Sequence, residues 1–68
     1  MQLTRRQKQI LDAINALTES RGFPPTIREV GEHVGLSSSS TIHEHLQNLK
    51  RLGAVEWDRR QVRTLRVK

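Results

Sequence analysis

Four consecutive serines, Ser37 to Ser40, followed by Thr41, His43, Glu44 and Gln47, gather hydrogen-bonding side chains into one short stretch, GLSSSSTIHEHLQNLKRLG. Hydroxyls at this density have two uses. Serine is an indifferent residue inside a helix but a strong one at its start, where its oxygen satisfies an amide that lacks an intrahelical partner. Short hydroxyls also suit the reading of nucleic-acid base edges. They donate or accept, a threonine methyl can touch a thymine methyl, and a carboxylate accepts from cytosine N4. Glu44 fits a specificity element in such a surface, because a carboxylate pushed towards phosphates is unfavourable without a base donor. The alternative for Glu44 is an intrahelical pair with Lys50 or plain solvation.

Catalytic chemistry finds little support. His43 and His45 are two apart, which puts them on different sides of a helix, and His33 belongs to another element, so a shared metal is not expected. His45, beside an apolar stripe, is expected to pack partly against helix one or two. Hydroxyls are plentiful, but none has a dedicated base nearby in sequence. The expectation is no enzyme activity, no cofactor and no small-molecule ligand.

Charge points in a different direction. Twelve Lys and Arg stand against seven Asp and Glu, a net charge of +5. Lys50, Arg51, Arg59, Arg60, Arg63, Arg66 and Lys68 crowd the last nineteen positions, where only Glu56 and Asp58 oppose them. Such asymmetry suggests a polyanion, nucleic acid ahead of a membrane surface. No apolar run approaches the roughly 20 residues that span a bilayer, and MQLTRRQKQ lacks a signal-peptide core. With cysteine absent, neither a disulfide framework nor a thiolate metal site is available. A cytoplasmic, nucleoid-associated protein is expected.

The elements that must position these groups follow from periodicity. Sixty-eight residues make one domain, 1–68, because a chain this short buries only roughly 60% of its unfolded surface. Thr4 and Gln7 form a capping-box pattern ahead of Ile10, Leu11, Ile14 and Leu17, with Gly22 as the stop, which gives helix one from about Arg5 to Arg21. Thr26 and Glu29 repeat the pattern after a Pro-Pro pair, with Ile27, Val30 and Val34 apolar and Gly35 next, which gives a short helix two from about Ile27 to Val34. Only LSSS separates this from Ile42, Leu46 and Leu49, a third helical stripe ending at Gly53 and capped by Ser37 or Ser38. Two helices so joined match a helix-turn-helix. Beyond Gly53 the pattern alternates: Val55 and Trp57 share one strand face, Leu65 and Val67 another, with DRRQ as the turn. The expected fold is mainly α (α+β), a winged helix-turn-helix of three helices and a two-stranded antiparallel β-hairpin.

On the third helix, the stripe of Ile42, Leu46 and Leu49 leaves Ser40, Glu44, Gln47 and Arg51 on the opposite side, flanked by Thr41, His43 and Asn48. In DNA-binding helix-turn-helix domains the start of this helix meets base edges in the major groove. Phosphates need amides and cations rather than a particular sequence. The helix starts at Thr26 and Ser38 offer the first; Arg5, Arg6, Arg28, Lys50 and Arg51 offer the second, with Arg59, Arg60 and Arg63 able to reach a neighbouring groove or backbone.

LTRRQKQILDAI, GFPPTIREVGEHVGLSSSSTIHEHLQNLKRLGAV and the closing alternating segment resemble, in order and spacing, the N-terminal DNA-binding domain of LexA-type repressors. The resemblance covers nearly the whole chain. It implies a transcriptional repressor of the DNA-damage (SOS) response that occupies a palindromic operator in double-stranded DNA as a dimer, one recognition helix per half-site. It also implies that Ser38, Ser40, Thr41, His43 and Glu44 read bases, with Gln47 beside them on the same helix face. Family repressors continue into a self-cleaving peptidase domain with most of the dimer contact, whereas this sequence ends at Lys68. The expectation is therefore no self-cleavage, weak association off DNA with no apolar surface left over, and pairing with a second copy on DNA. The wing turn DRRQ lacks the glycine that favours a tight hairpin. The rival expectation is a stand-alone winged-helix module that binds nucleic acid nonspecifically or binds protein.

Overall fold

Both capping boxes form as the sequence spells them. Thr4 Oγ1 accepts from the Gln7 amide at 3.1 Å while Gln7 Oε1 accepts from the Thr4 amide at 2.9 Å, and helix α1 runs Arg5–Arg21 behind them. Thr26 and Glu29 exchange the same two bonds at 3.1 and 2.8 Å to open α2, Ile27–His33. Ser38, rather than Ser37, caps α3, Ser39–Arg51. The structure is a computed structural model describing residues 3–58, 60 and 64–68.

Helix α2 stops one residue earlier than its apolar stripe suggests, because the turn beyond it closes as a Schellman motif. Gly35 adopts φ 80°, its amide donates to Glu32 O at 3.2 Å, and the Leu36 amide donates to Gly31 O at 2.9 Å. Val34 thereby becomes the C-cap and Leu36 turns back against the core. Gly31 is buried against α3, and a Cβ there would make ordinary van der Waals contact with Ile42 Cγ2 at 3.5 Å.

Ile10, Ala13, Ile14 and Leu17 from α1, Val30 from α2, and Ile42, Leu46 and Leu49 from α3 form one core with Val55 and Leu65. Ala13 takes a buried place that the sequence stripe gave to Leu11, which is half-buried. Each buried Leu or Ile contributes about 1.5–3 kcal/mol relative to exposure.

The hairpin is shorter than alternation alone implies. Strand β1 is Val55–Glu56 and β2 is Arg66–Val67, antiparallel, with Val55 opposite Val67 and Glu56 opposite Arg66. Glu56 and Arg66 also form a cross-strand ion pair. Trp57 and Leu65 lie just past the ladder yet still pack on the core. Continuing the register sets Asp58 opposite Thr64, and there a side chain replaces the backbone acceptor: the Asp58 amide donates to Thr64 Oγ1 at 2.7 Å. Of the expected DRRQ turn, Arg59 and Gln61 lie outside the described residues, while Asp58 Oδ1 accepts from the Arg60 amide at 2.9 Å. With β1 against α3 and β2 against α1, the fold is a winged helix-turn-helix.

Candidate nucleic-acid interface

Helix α3 divides sharply into two sides. Ile42, Leu46 and Leu49 are fully buried, while Ser40, His43, Glu44 and Gln47 are exposed and Thr41 is half-buried beside them. Ser38 is exposed at the helix start. The six residues assigned to base reading thus fall on one side of a single helix or at its beginning. Glu44 forms no ion pair with Lys50 or with any other described residue, and His45 is half-buried as expected.

The start of α3 differs from the other two. Ser38 Oγ accepts from the Thr41 amide at a long 3.4 Å, and Thr41 stands where a capping box has Glu or Gln. Among the described residues no side chain returns to the Ser38 amide. Among the described residues nothing accepts from the amides of Ser38 or Ser40 either. Four N-terminal amides of any helix need outside partners, and their aligned dipoles favour negative charge.

The residues assigned to phosphate contact are arranged less uniformly. Arg5, Arg51 and Arg60 are exposed. Arg28 is exposed and pairs with Glu32 one turn on, at 3.3 Å, a contact of little strength in solvent. Thr26 is half-buried at the start of α2, its Oγ1 accepting from Glu29. Lys50 is exposed, with Nζ 4.7 Å from the centre of the Trp57 ring. Arg6 turns inward, Nη1 donating to Val34 O at 2.9 Å. Arg59 and Arg63 lie outside the described residues. The inward turn of Arg6 and the stacking of Lys50 on Trp57 had no sequence signal, because each joins separate elements.

The expectation that no apolar surface is left over needs amending. Phe23 is 43% exposed and Leu52 42%, although single exposed apolar residues are ordinary on a small domain.

The family model for the LexA DNA binding domain matches residues 1–64. The chain belongs to the LexA DNA-binding domain family. Among LexA repressors, that of Staphylococcus epidermidis is 42% identical over 97% of this chain and 32% of its own length. The LexA repressor of Halalkalibacterium halodurans is 46% identical over 96% and 31%, and that of a Geobacillus species 45% over 96% and 31%. The chain therefore spans about a third of the length of the curated LexA relatives it matches.

Proposed function

We propose that this chain binds double-stranded DNA in a sequence-specific way through α3, and that it serves a repressor which silences DNA-damage (SOS) genes by occupying their operators. The observation that carries the reading is the exposed row of Ser40, His43, Glu44 and Gln47 directly opposite the buried stripe of α3. A helix anchored along one side presents the other to the major groove at a fixed angle.

Ser38, Ser40, Thr41, His43, Glu44 and Gln47 read base edges; Arg5, Thr26, Arg28, Lys50 and Arg51 position the domain on phosphates, with Arg59, Arg60 and Arg63 as further cations for phosphate. Two copies occupy a palindrome with recognition helices about 34–36 Å apart, or a multiple of that. The setting is the cytoplasm, at the nucleoid. None of these steps uses catalysis.

Selection of bound sequences from a random duplex pool near physiological salt tests the reading, and recovery of an inverted repeat is expected. A pool that stays random where binding persists would instead mean that the basic residues bind without reading. Ser40→Ala or Thr41→Ala is expected to relax preference at one operator position. Lys50→Ala should weaken binding to all duplexes alike and flatten the salt dependence by about one unit. Under nonspecific binding, Glu44→Ala would tighten the complex without altering base preference.

A further inference from the structure

We propose that Arg6 is a positioning residue for the recognition helix, holding the turn between α2 and α3 from α1 instead of contacting DNA phosphate. The inference rests on the DNA-binding reading above.

Arg6 is half-buried, and its Nη1 reaches 28 residues along the chain to Val34 O at 2.9 Å. Val34 is the C-cap of α2, and carbonyls at a helix C-terminus lack intrahelical donors and attract cations. The Thr4–Gln7 capping box fixes the first turn of α1, where Arg6 sits. Only Gly35, Leu36 and Ser37 separate Val34 from Ser38, the cap of α3. The Gly35 and Leu36 amides are themselves bonded back into α2, so a hold on Val34 is a hold on the start of the reading helix.

At the opposite end, Arg21 of α1 pairs with Glu29, the residue that closes the α2 capping box. Two arginines from the two ends of α1 thus grip the two ends of α2, but only Arg6 grips the end that leads to α3. Arg21 is therefore the control.

The experiment compares Arg6→Gln and Arg21→Gln in the full chain. Affinities are measured across a salt series for the duplex recovered by selection and for a scrambled duplex of equal length. Amide hydrogen exchange is followed at Gly35, Leu36 and Val30. For Arg6→Gln the ratio of selected to scrambled affinity is expected to fall roughly tenfold, comparable to a mismatched base pair, with the salt slope on scrambled DNA unchanged. Exchange at Gly35 and Leu36 should rise relative to Val30. Arg21→Gln should leave the affinity ratio unaltered.

A salt slope lowered by about one unit with the ratio preserved would make Arg6 a phosphate ligand and overturn the proposal. Equal loss of ratio in both variants would overturn it too, as general loosening of α2. Unchanged exchange at Gly35 and Leu36 would show that Arg6 does not hold the turn. An unaltered chain that prefers no duplex defeats the DNA-binding reading itself, while the exchange data still report on the turn.

Discussion

The first turns of α1 and α2 are closed and the first turn of α3 is open. Thr4 with Gln7, and Thr26 with Glu29, each satisfy two amides through reciprocal bonds of 2.8–3.1 Å. Ser38 Oγ accepts from one amide at 3.4 Å, and among the described residues no side chain accepts from the Ser38 amide in return. The same structural problem is thus met by reciprocal bonds at the starts of α1 and α2. It is solved partially where the helix end faces outward beside Ser40 and Thr41. Among the described residues, the start of α3 thus has one side-chain bond to an amide where α1 and α2 each have two.

The largest effect expected from disturbing this contrast follows Ser38→Asp. Aspartate caps a helix as well as serine does, so the thermal midpoint should hold or rise. On the proposed reading, a carboxylate at the start of α3 should nevertheless cost about 2 kcal/mol of binding, roughly thirtyfold. Retained affinity would place the start of α3 away from DNA.

A smaller effect, and on stability alone, is expected of Thr4→Ala. Loss of a closed cap costs about 1 kcal/mol, which lowers the midpoint of so small a domain by about 4–8 °C. Affinity for the selected duplex, measured well below that midpoint, should not change. Smallest of all is the stability change for Ser38→Ala, about 0.5 kcal/mol or less, at the low end of cap losses. Thermal unfolding that ranked Ser38→Ala above Thr4→Ala would reverse the contrast.

The closed caps were legible because every part of them lies within four residues of chain. Thr4, Gln7, Thr26 and Glu29 announce α1 and α2, and the Ile42, Leu46 and Leu49 spacing announces which side of α3 is buried. The exposed row that carries the proposed function is the complement of that spacing, so it too could be read from sequence.

What could not be read are contacts that depend on how elements are stacked. The guanidinium of Arg6 looks like any solvated cation in sequence, and only the placement of α2 against α1 brings Val34 O to it. The hairpin misled for a related reason. Alternation continues through Trp57 and Leu65, but the hydroxyl of Thr64 takes the amide of Asp58 and ends the ladder at Glu56 and Arg66. A local pattern of apolar residues carries no information about a hydroxyl that competes for a backbone donor.

The stacking of Lys50 on Trp57 has a practical consequence. Trp57 is the chain's single tryptophan and tyrosine is absent, so near-ultraviolet emission from the domain comes from one indole, with an ammonium 4.7 Å from its ring centre. A phosphate that draws the ammonium away changes the field on that ring. Emission should therefore shift as duplex is added to the unlabelled protein, and the shift should vanish in Lys50→Met. The molecule carries its own optical gauge of whether the far end of α3 has engaged a phosphate backbone.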